Sequence, residues 1–265
     1  MILTQLLVRK FIIGLPFYDL FSVSVEWRFY LLIFSTVLIA SAGYIINDYF
    51  DIKIDLINKP KEVYVGRIIK RRYALLMHQL LSGFGILLGL FLGFKILIVK
   101  IVAVVLLWFY ASIFKKKAIL GNLIVAFLTA LVIFEIDLLY YQNSKLLYIY
   151  AIFAFFINLI REIIKDIEDI RGDKMHGALT LPIKIGIRKS KLVIYGLFLI
   201  LASLVLRLSI GIANQKLWFV FSILCFLVSI FIYKLFFADR KKHFHALSNL
   251  CKLIMILGIL SMIVL

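Results

Sequence analysis

Nine apolar runs, most of them close to twenty residues long, leave this chain of 265 residues few folds to choose from. They are Ile2–Leu15, Trp27–Ile46, Ala74–Phe94, Ile96–Phe114, Ala118–Phe134, Leu146–Ile164, Leu192–Ile212, Leu217–Phe237 and Leu247–Leu265. A helix of about 20 residues crosses a hydrocarbon core ~30 Å thick, and most of the runs reach that length. With 64% hydrophobic and 17% charged residues, a water-soluble fold would strand a large apolar surface in solvent. The chain is therefore read as a single all-α membrane domain over residues 1–265, a polytopic protein of about nine transmembrane helices. The first run is short, so the sequence is expected to begin downstream of a natural start. Arg9 and Lys10 interrupt that run and no small-residue cleavage site follows, so it does not read as a cleavable leader.

The formal charge of +17 does not point to nucleic acid, because the basic residues sit in short connections rather than along one soluble face. Connections after even-numbered runs are rich in them: Lys53, Lys59, Lys61, Arg67 and Lys70–Arg72, then Lys115–Lys117, then Lys165 to Lys191, then Arg240–Lys242. Connections after odd-numbered runs hold one or two each, such as Lys95, Lys145 and Lys216. Positive charge marks the cytoplasmic side, which predicts the N-terminus inside and the C-terminus outside. Glu135 and Asp137 fall beside an external connection, where exposure is expected. Cys225 and Cys251 lie in apolar runs without metal or redox spacing and read as inert. Gly85, Gly89 and Gly93 recur every four residues, a face on which two membrane helices can approach closely.

Two acidic segments break the apolar pattern. The second run leads into NDYFDIKID, residues 47–55, and the sixth into REIIKDIEDIRGD, residues 161–173. Both contain D-x-x-D-x-x-x-D: Asp48, Asp51 and Asp55, then Asp166, Asp169 and Asp173. Spacings of three and four put such carboxylates on one helical face, where like charges repel. A divalent cation reverses that cost. Mg²⁺ takes hard oxygen ligands, keeps several waters, and is usually held by one or two carboxylates together with phosphate oxygens. Two such ladders on the same side of a membrane could hold a diphosphate between them. Arg161 and Lys165, one turn apart in the second segment, suit contact with that diphosphate. The surface run Lys70–Arg72 reads as topology and headgroup contact.

The motifs resemble those of the UbiA superfamily of intramembrane prenyltransferases, which carry N-x-x-x-D-x-x-x-D after the second helix and D-x-x-x-D after the sixth. Asn47, Asp51 and Asp55 match the first, Asp169 and Asp173 the second, and GALTLPIKIG at residues 177–186 also fits. The resemblance covers essentially the whole chain and implies a UbiA-type helical bundle. It further implies an allylic polyprenyl diphosphate donor, with Mg²⁺ held by Asn47, Asp51, Asp55, Asp169 and Asp173 and, as a lesser expectation, by Asp48 and Asp166. Asp51, Asp55, Asp169 and Asp173 would be catalytic, and Asn47, Arg67, Arg161 and Lys165 would contact the diphosphate. The stretches NDYFDIKIDLINKP and KDIEDIRGD are most similar to the branch that prenylates geranylgeranylglyceryl phosphate. An aromatic quinone precursor, 1,4-dihydroxy-2-naphthoate or 4-hydroxybenzoate, is the alternative acceptor. Tyr44, Tyr49 and Phe50 are candidates to stabilise an allylic cation through their ring faces, although packing is the plainer role.

A membrane transporter is the alternative outside enzymes, since transporters also carry intramembrane ionisable residues. Here the acidic residues cluster at helix ends instead. His78, His176, His243 and His245 lack the spacing of a zinc site. The bilayer and its lipids are the expected surroundings, and the oligomeric state is left open.

Overall fold

In hydrocarbon no water is present to satisfy backbone groups, so each apolar run closes its own hydrogen bonds as a helix. The computed structural model describes residues 1–15, 23–58, 63–141, 144–209 and 215–264. Its helices are α1 (Ile2–Leu7, continued by a π turn Val8–Ile12), α2 (Val23–Asn58), α3 (Arg71–Leu92), α4 (Phe94–Ser112), α5 (Leu120–Tyr140) and α6 (Lys145–Glu168). There follow the short α7 (Ile170–Met175) and α8 (Leu181–Ile185), then α9 (Ile187–Ser209), α10 (Gln215–Phe236) and α11 (Lys241–Leu260). Among the described residues there are no strands, only two isolated bridges. Among the described residues, eight helices are long and apolar enough to cross a membrane. The ninth expected span is represented by α1 and its π turn, which together are too short to do so. Lys59 and Lys61 lie outside the described residues.

The largest departure from the hydropathy pattern is α2, which continues for 36 residues as one helix. Hydropathy marks where lipid begins and ends, whereas the helical hydrogen-bond ladder runs on past Ile46 and carries Asn47, Asp51 and Asp55 with it. The second ladder is built differently. α6 ends at Glu168, Asp169 stands at the junction with φ −98° and ψ 7°, and α7 carries Asp173. The Asp173 N–H still donates to the Asp169 carbonyl at 3.2 Å, so the one-turn spacing of this pair survives the junction.

The glycine face of α3 does as expected at Gly85 and Gly89, whereas Gly93 ends the helix at φ +116° with nothing within 4 Å of a Cβ. A Cβ at Gly85 would lie 2.5 Å from a side-chain carbon of Ile39 on α2, and one at Gly89 would lie 3.0 Å from Lys100 on α4. Two apolar cores hold the remainder together. One gathers the second half of α6 with α9, α10 and α11 around Ile160, Ile164, Phe231 and Cys251. The other joins α1, α2, α5 and the end of the chain around Val8, Leu32, Ile136 and Met262.

The expected exposure of Glu135 and Asp137 is not what the structure shows. α5 extends beyond Phe134 and turns both into the bundle, where they are 4% and 5% exposed. Glu135 Oε2 accepts from Lys100 Nζ at 2.7 Å and from the Thr36 hydroxyl at 3.0 Å. Lys100 Nζ also donates to Thr36 Oγ1 at 2.7 Å, and the Gln5 amide to the same oxygen at 3.4 Å. A second buried pair joins Arg9 to Glu26 at 3.0 Å, with the Tyr140 hydroxyl donating to Glu26 at 2.8 Å. A charge in an apolar run is tolerated when a neighbouring helix supplies its partner.

Candidate active site

The end of α2, the turn after α4, the junction of α6 with α7 and the start of α11 come together at one end of the bundle. α7 lies against the end of α2. The short 3-10 turn after α4, Phe114–Lys116, is bridged to the chain after α7: the Leu179 N–H donates to the Lys116 carbonyl at 2.8 Å. This clasp sets Lys115 between the two acidic segments. Gly121, at the start of α5, makes the arrangement possible. A Cβ there would meet the Lys115 Cα and the Phe114 carbonyl oxygen, each at 3.0 Å, and both are backbone atoms that cannot swing aside. The neighbouring Ile119 is held at φ +68°, a conformation unfavourable for a β-branched residue. Strain of this kind persists only where surrounding contacts enforce it.

Lys115 Nζ pairs with the Asp51 carboxylate and donates to Asn47 Oδ1 at 3.2 Å. Asp51 is 3% exposed. Burial works against the charge on Lys115, but Tyr110, Asp51 and Asp55 outweigh it and raise its pKa above the ordinary lysine value. Asp173 is buried across from this lysine, and its carboxyl pKa is pushed up to about 6. Burial is the main cause, reinforced by Asp169, Asp51 and Asp55 and opposed by Lys115. One carboxyl thus senses both ladders, and the two acidic segments face each other across a shared ammonium.

The remaining expected site residues divide clearly. Asp166 accepts from the Asn122 amide of α5 at 2.8 Å, a bond that fixes α6 against α5. Asp169 lies 3.9 Å from Lys241 at the start of α11. Arg161 and Lys165 both turn to the buried Glu162, at 2.8 Å and 3.4 Å. Arg67 is exposed on a tight turn, residues 64–69, whose Gly66 approaches Ile52 of α2. Asp48 and Asp55 are half-buried on α2. The three aromatic candidates do not gather at the ladders. Tyr44 is 76% exposed, Tyr49 lies under Arg71 at 4.6 Å, and Phe50 packs edge-on to Trp108.

Lys115, Glu162 and Asn122 were not singled out by sequence. A lysine in a basic loop reads as topology, and only the fold brings it to a carboxylate 64 positions away. Glu162 did carry a signal, being an acid set between Arg161 and Lys165 on one helical turn. The donor set suits a divalent cation: hard oxygens on facing helices, already arranged around one positive charge. Among the described residues, no three Asp, Glu, His or Cys side chains converge on one point as they stand. Mg²⁺ retains most of its waters and takes one or two carboxylates, so its binding does not require such a cluster.

Fold and site together define a polytopic helical membrane protein with two facing carboxylate ladders. Residues 15–256 match the model of the UbiA prenyltransferase family, and the chain belongs to that family. It is 40% identical over 154 residues to the digeranylgeranylglyceryl phosphate synthase of Sulfurisphaera tokodaii, covering 57% of this chain and 55% of that one. The match thus spans about half the length of that curated relative. A solved structure concerned with digeranylgeranylglyceryl phosphate synthase in membranes superimposes with a TM-score of 0.72 at 28% identity, over 99% of this chain and 90% of that one. A UbiA homologue from Archaeoglobus fulgidus, solved with DMAPP and Mg²⁺, shares the fold at a TM-score of 0.58 and 16% identity, over 90% of this chain and 88% of that one.

Proposed function

We propose that this protein transfers a prenyl group from an allylic polyprenyl diphosphate to geranylgeranylglyceryl phosphate, with Mg²⁺ as cofactor. The observation that carries this reading is the shared lysine: Lys115 is bonded to Asn47 and Asp51 of one ladder and acts on Asp173 of the other. Four acids spread over two facing segments, Asp51, Asp55, Asp169 and Asp173, form a cradle for cations and the anion they carry. The acceptor follows from the likeness to digeranylgeranylglyceryl phosphate synthases.

Magnesium, when bound, supplies positive charge that stabilises a departing diphosphate. We assign its binding to Asn47, Asp51, Asp55, Asp169 and Asp173. Asp48 is secondary, and Asp166 serves mainly to anchor Asn122. Glu162 orients Arg161 and Lys165 along the seam, and Lys115 adds a third cation. As the allylic C–O bond breaks, its electron pair stays on the diphosphate, where these cations stabilise it. The acceptor hydroxyl oxygen forms the new C–O bond and gives up its proton to the released diphosphate. Water would intercept the allylic cation, and the burial of Asp51, Glu162 and Asp173 beneath the loop clasp limits its access. Arg67, on its exposed turn, is assigned to first contact with the diphosphate. The loop charges support a cytoplasmic position for this end of the bundle and an external C-terminus, and an internal N-terminus requires that the first apolar run cross as well.

The test uses purified protein, Mg²⁺ and labelled geranylgeranyl diphosphate with a panel of acceptors. Geranylgeranylglyceryl phosphate, 4-hydroxybenzoate and 1,4-dihydroxy-2-naphthoate form the panel. Product from the glyceryl phosphate alone is expected. Product from an aromatic acceptor alone overturns the acceptor, and turnover undiminished by chelation overturns the metal.

A further inference from the structure

α10 leans on α11 more than on α9, and a groove runs between α9 and α10 at the end of the bundle that holds the ladders. Its apolar part, shallow and open over about 620 Å³, is bounded by Tyr195, Ile232, Tyr233, Phe236 and Phe237. Tyr195 and Phe236 continue into an upper part of about 420 Å³ lined also by Arg188, Lys191 and Asp239. An apolar trough therefore ends in a cationic mouth.

The mouth is already arranged. Lys191 donates to the Phe236 carbonyl at 3.3 Å and lies over the Phe244 ring at 5.9 Å, which leaves its side chain only 13% exposed. Arg188 is exposed, one turn before Lys191 on α9, and makes no ion pair among the described residues. Asp239 is the acid at this mouth, and it is a weak competitor: its side chain is 84% exposed and stands 4.0 Å from Lys191. Two cations against one solvated carboxylate leave net positive charge where the apolar wall stops. Basic pockets between membrane helices take anionic lipid headgroups.

We propose that this groove binds a membrane lipid whose phosphate headgroup carries net negative charge, the headgroup on Arg188 and Lys191 and one hydrocarbon chain between α9 and α10. The site lies outside the carboxylate ladders and does not depend on the reaction assigned to them.

The experiment is native mass spectrometry of the detergent-purified chain, incubated with equimolar dioleoyl phosphatidic acid and dioleoyl phosphatidylcholine. One phosphatidic acid should be retained with roughly tenfold preference or more, as expected for two basic residues facing one phosphate. R188Q/K191Q should reduce that preference to about twofold or less by removing both charges. D239N, which removes only the competing carboxylate, should raise it. I232W fills the trough and should lower retention while leaving the mouth intact. An excess of inorganic phosphate should not displace the lipid. Equal retention of the two lipids overturns the proposal, as does an unchanged preference in R188Q/K191Q. Unaltered binding in I232W, or displacement by phosphate, reduces the site to surface charge and overturns it equally. If the double variant fails to fold, R188Q at its exposed position carries the same test.

Discussion

The Lys100–Glu135 pair allows a quantitative test of how this bundle tolerates charge. Lys100 is 1% exposed and Glu135 4%, and they meet at 2.7 Å with Thr36 bonded to both. Replacing Glu135 by Leu leaves an ammonium with one hydroxyl partner in an apolar setting. Removing one member of a buried pair costs roughly 3–5 kcal/mol. K100M should cost a similar amount, since the carboxylate then keeps only Thr36. Removing both is different. With Glu135 gone the Thr36 hydroxyl donates to the Leu32 carbonyl, 2.7 Å away, so the double variant strands no charge. Replacing a whole buried pair by apolar residues is often neutral or stabilising by about 1–4 kcal/mol. The double variant should therefore lie near wild type, with a coupling energy of at least about 3 kcal/mol. In a thermal unfolding assay in detergent, at roughly 2–4 °C per kcal/mol, each single variant should fall by about 6–20 °C and the double should recover most of it. Thr36 and Asp51 are fifteen residues apart on α2, about 22 Å at 1.5 Å per residue, so prenyl transfer by the double variant should stay near wild type. Additive losses would refute the reasoning, because the charges would then not be coupled. A stable double variant without activity would show that the pair serves the reaction.

Three further outcomes are expected. Asp51→Asn and Asp169→Asn should each lower turnover at least about 100-fold, with thermal stability largely kept in Asp169→Asn and reduced in Asp51→Asn, which unpairs Lys115; two fully active variants would dismiss the ladders as the cation site. Asp173 should couple cation binding to pH. Its pKa of about 6 lies above the ordinary carboxyl value, so the metal-free protein holds that proton more tightly than the unfolded chain. The stability this contributes is present in acid and lost as pH rises through about 6, whereas Mg²⁺ binding needs the proton released. Calorimetric Mg²⁺ affinity should thus fall below pH 6 by up to about tenfold per unit, and in Asp173→Asn that slope should vanish. Gly121→Ala must push back the Lys115 turn, at a cost of about 1–3 kcal/mol, and should reduce turnover more than a Gly83→Ala control, where a Cβ meets nothing within 4 Å.

Periodicity and hydropathy carry as far as local interactions do. The ladders were legible because three-and-four spacing states the geometry of a helical face before any tertiary contact exists. The long helices were legible because a bilayer accepts little else. Lys115 was not, since its role depends on Gly121 and on a clasp to Leu179, and neither leaves a periodic trace. Glu135 was misjudged for a related reason. It follows an apolar run and so resembles a surface residue, while its partner Lys100 lies in another helix, inside a run that hydropathy averages over. An isolated charge in such a run was the available sign, and it pointed to a partner without naming it.

α2 leaves the apolar zone as one unbroken helix, and this bears on how the proposed lipid reactants are served. Asp51 and Asp55 stand five and nine residues beyond Ile46, about 7 and 13 Å further along the axis. In the proposed reaction this extension sets the acidic end toward the headgroup region. A lipid reactant then keeps its tail in the membrane and its charged end hydrated until it docks. Supply and removal become lateral diffusion in two dimensions, and no dehydrated phosphate has to cross oil.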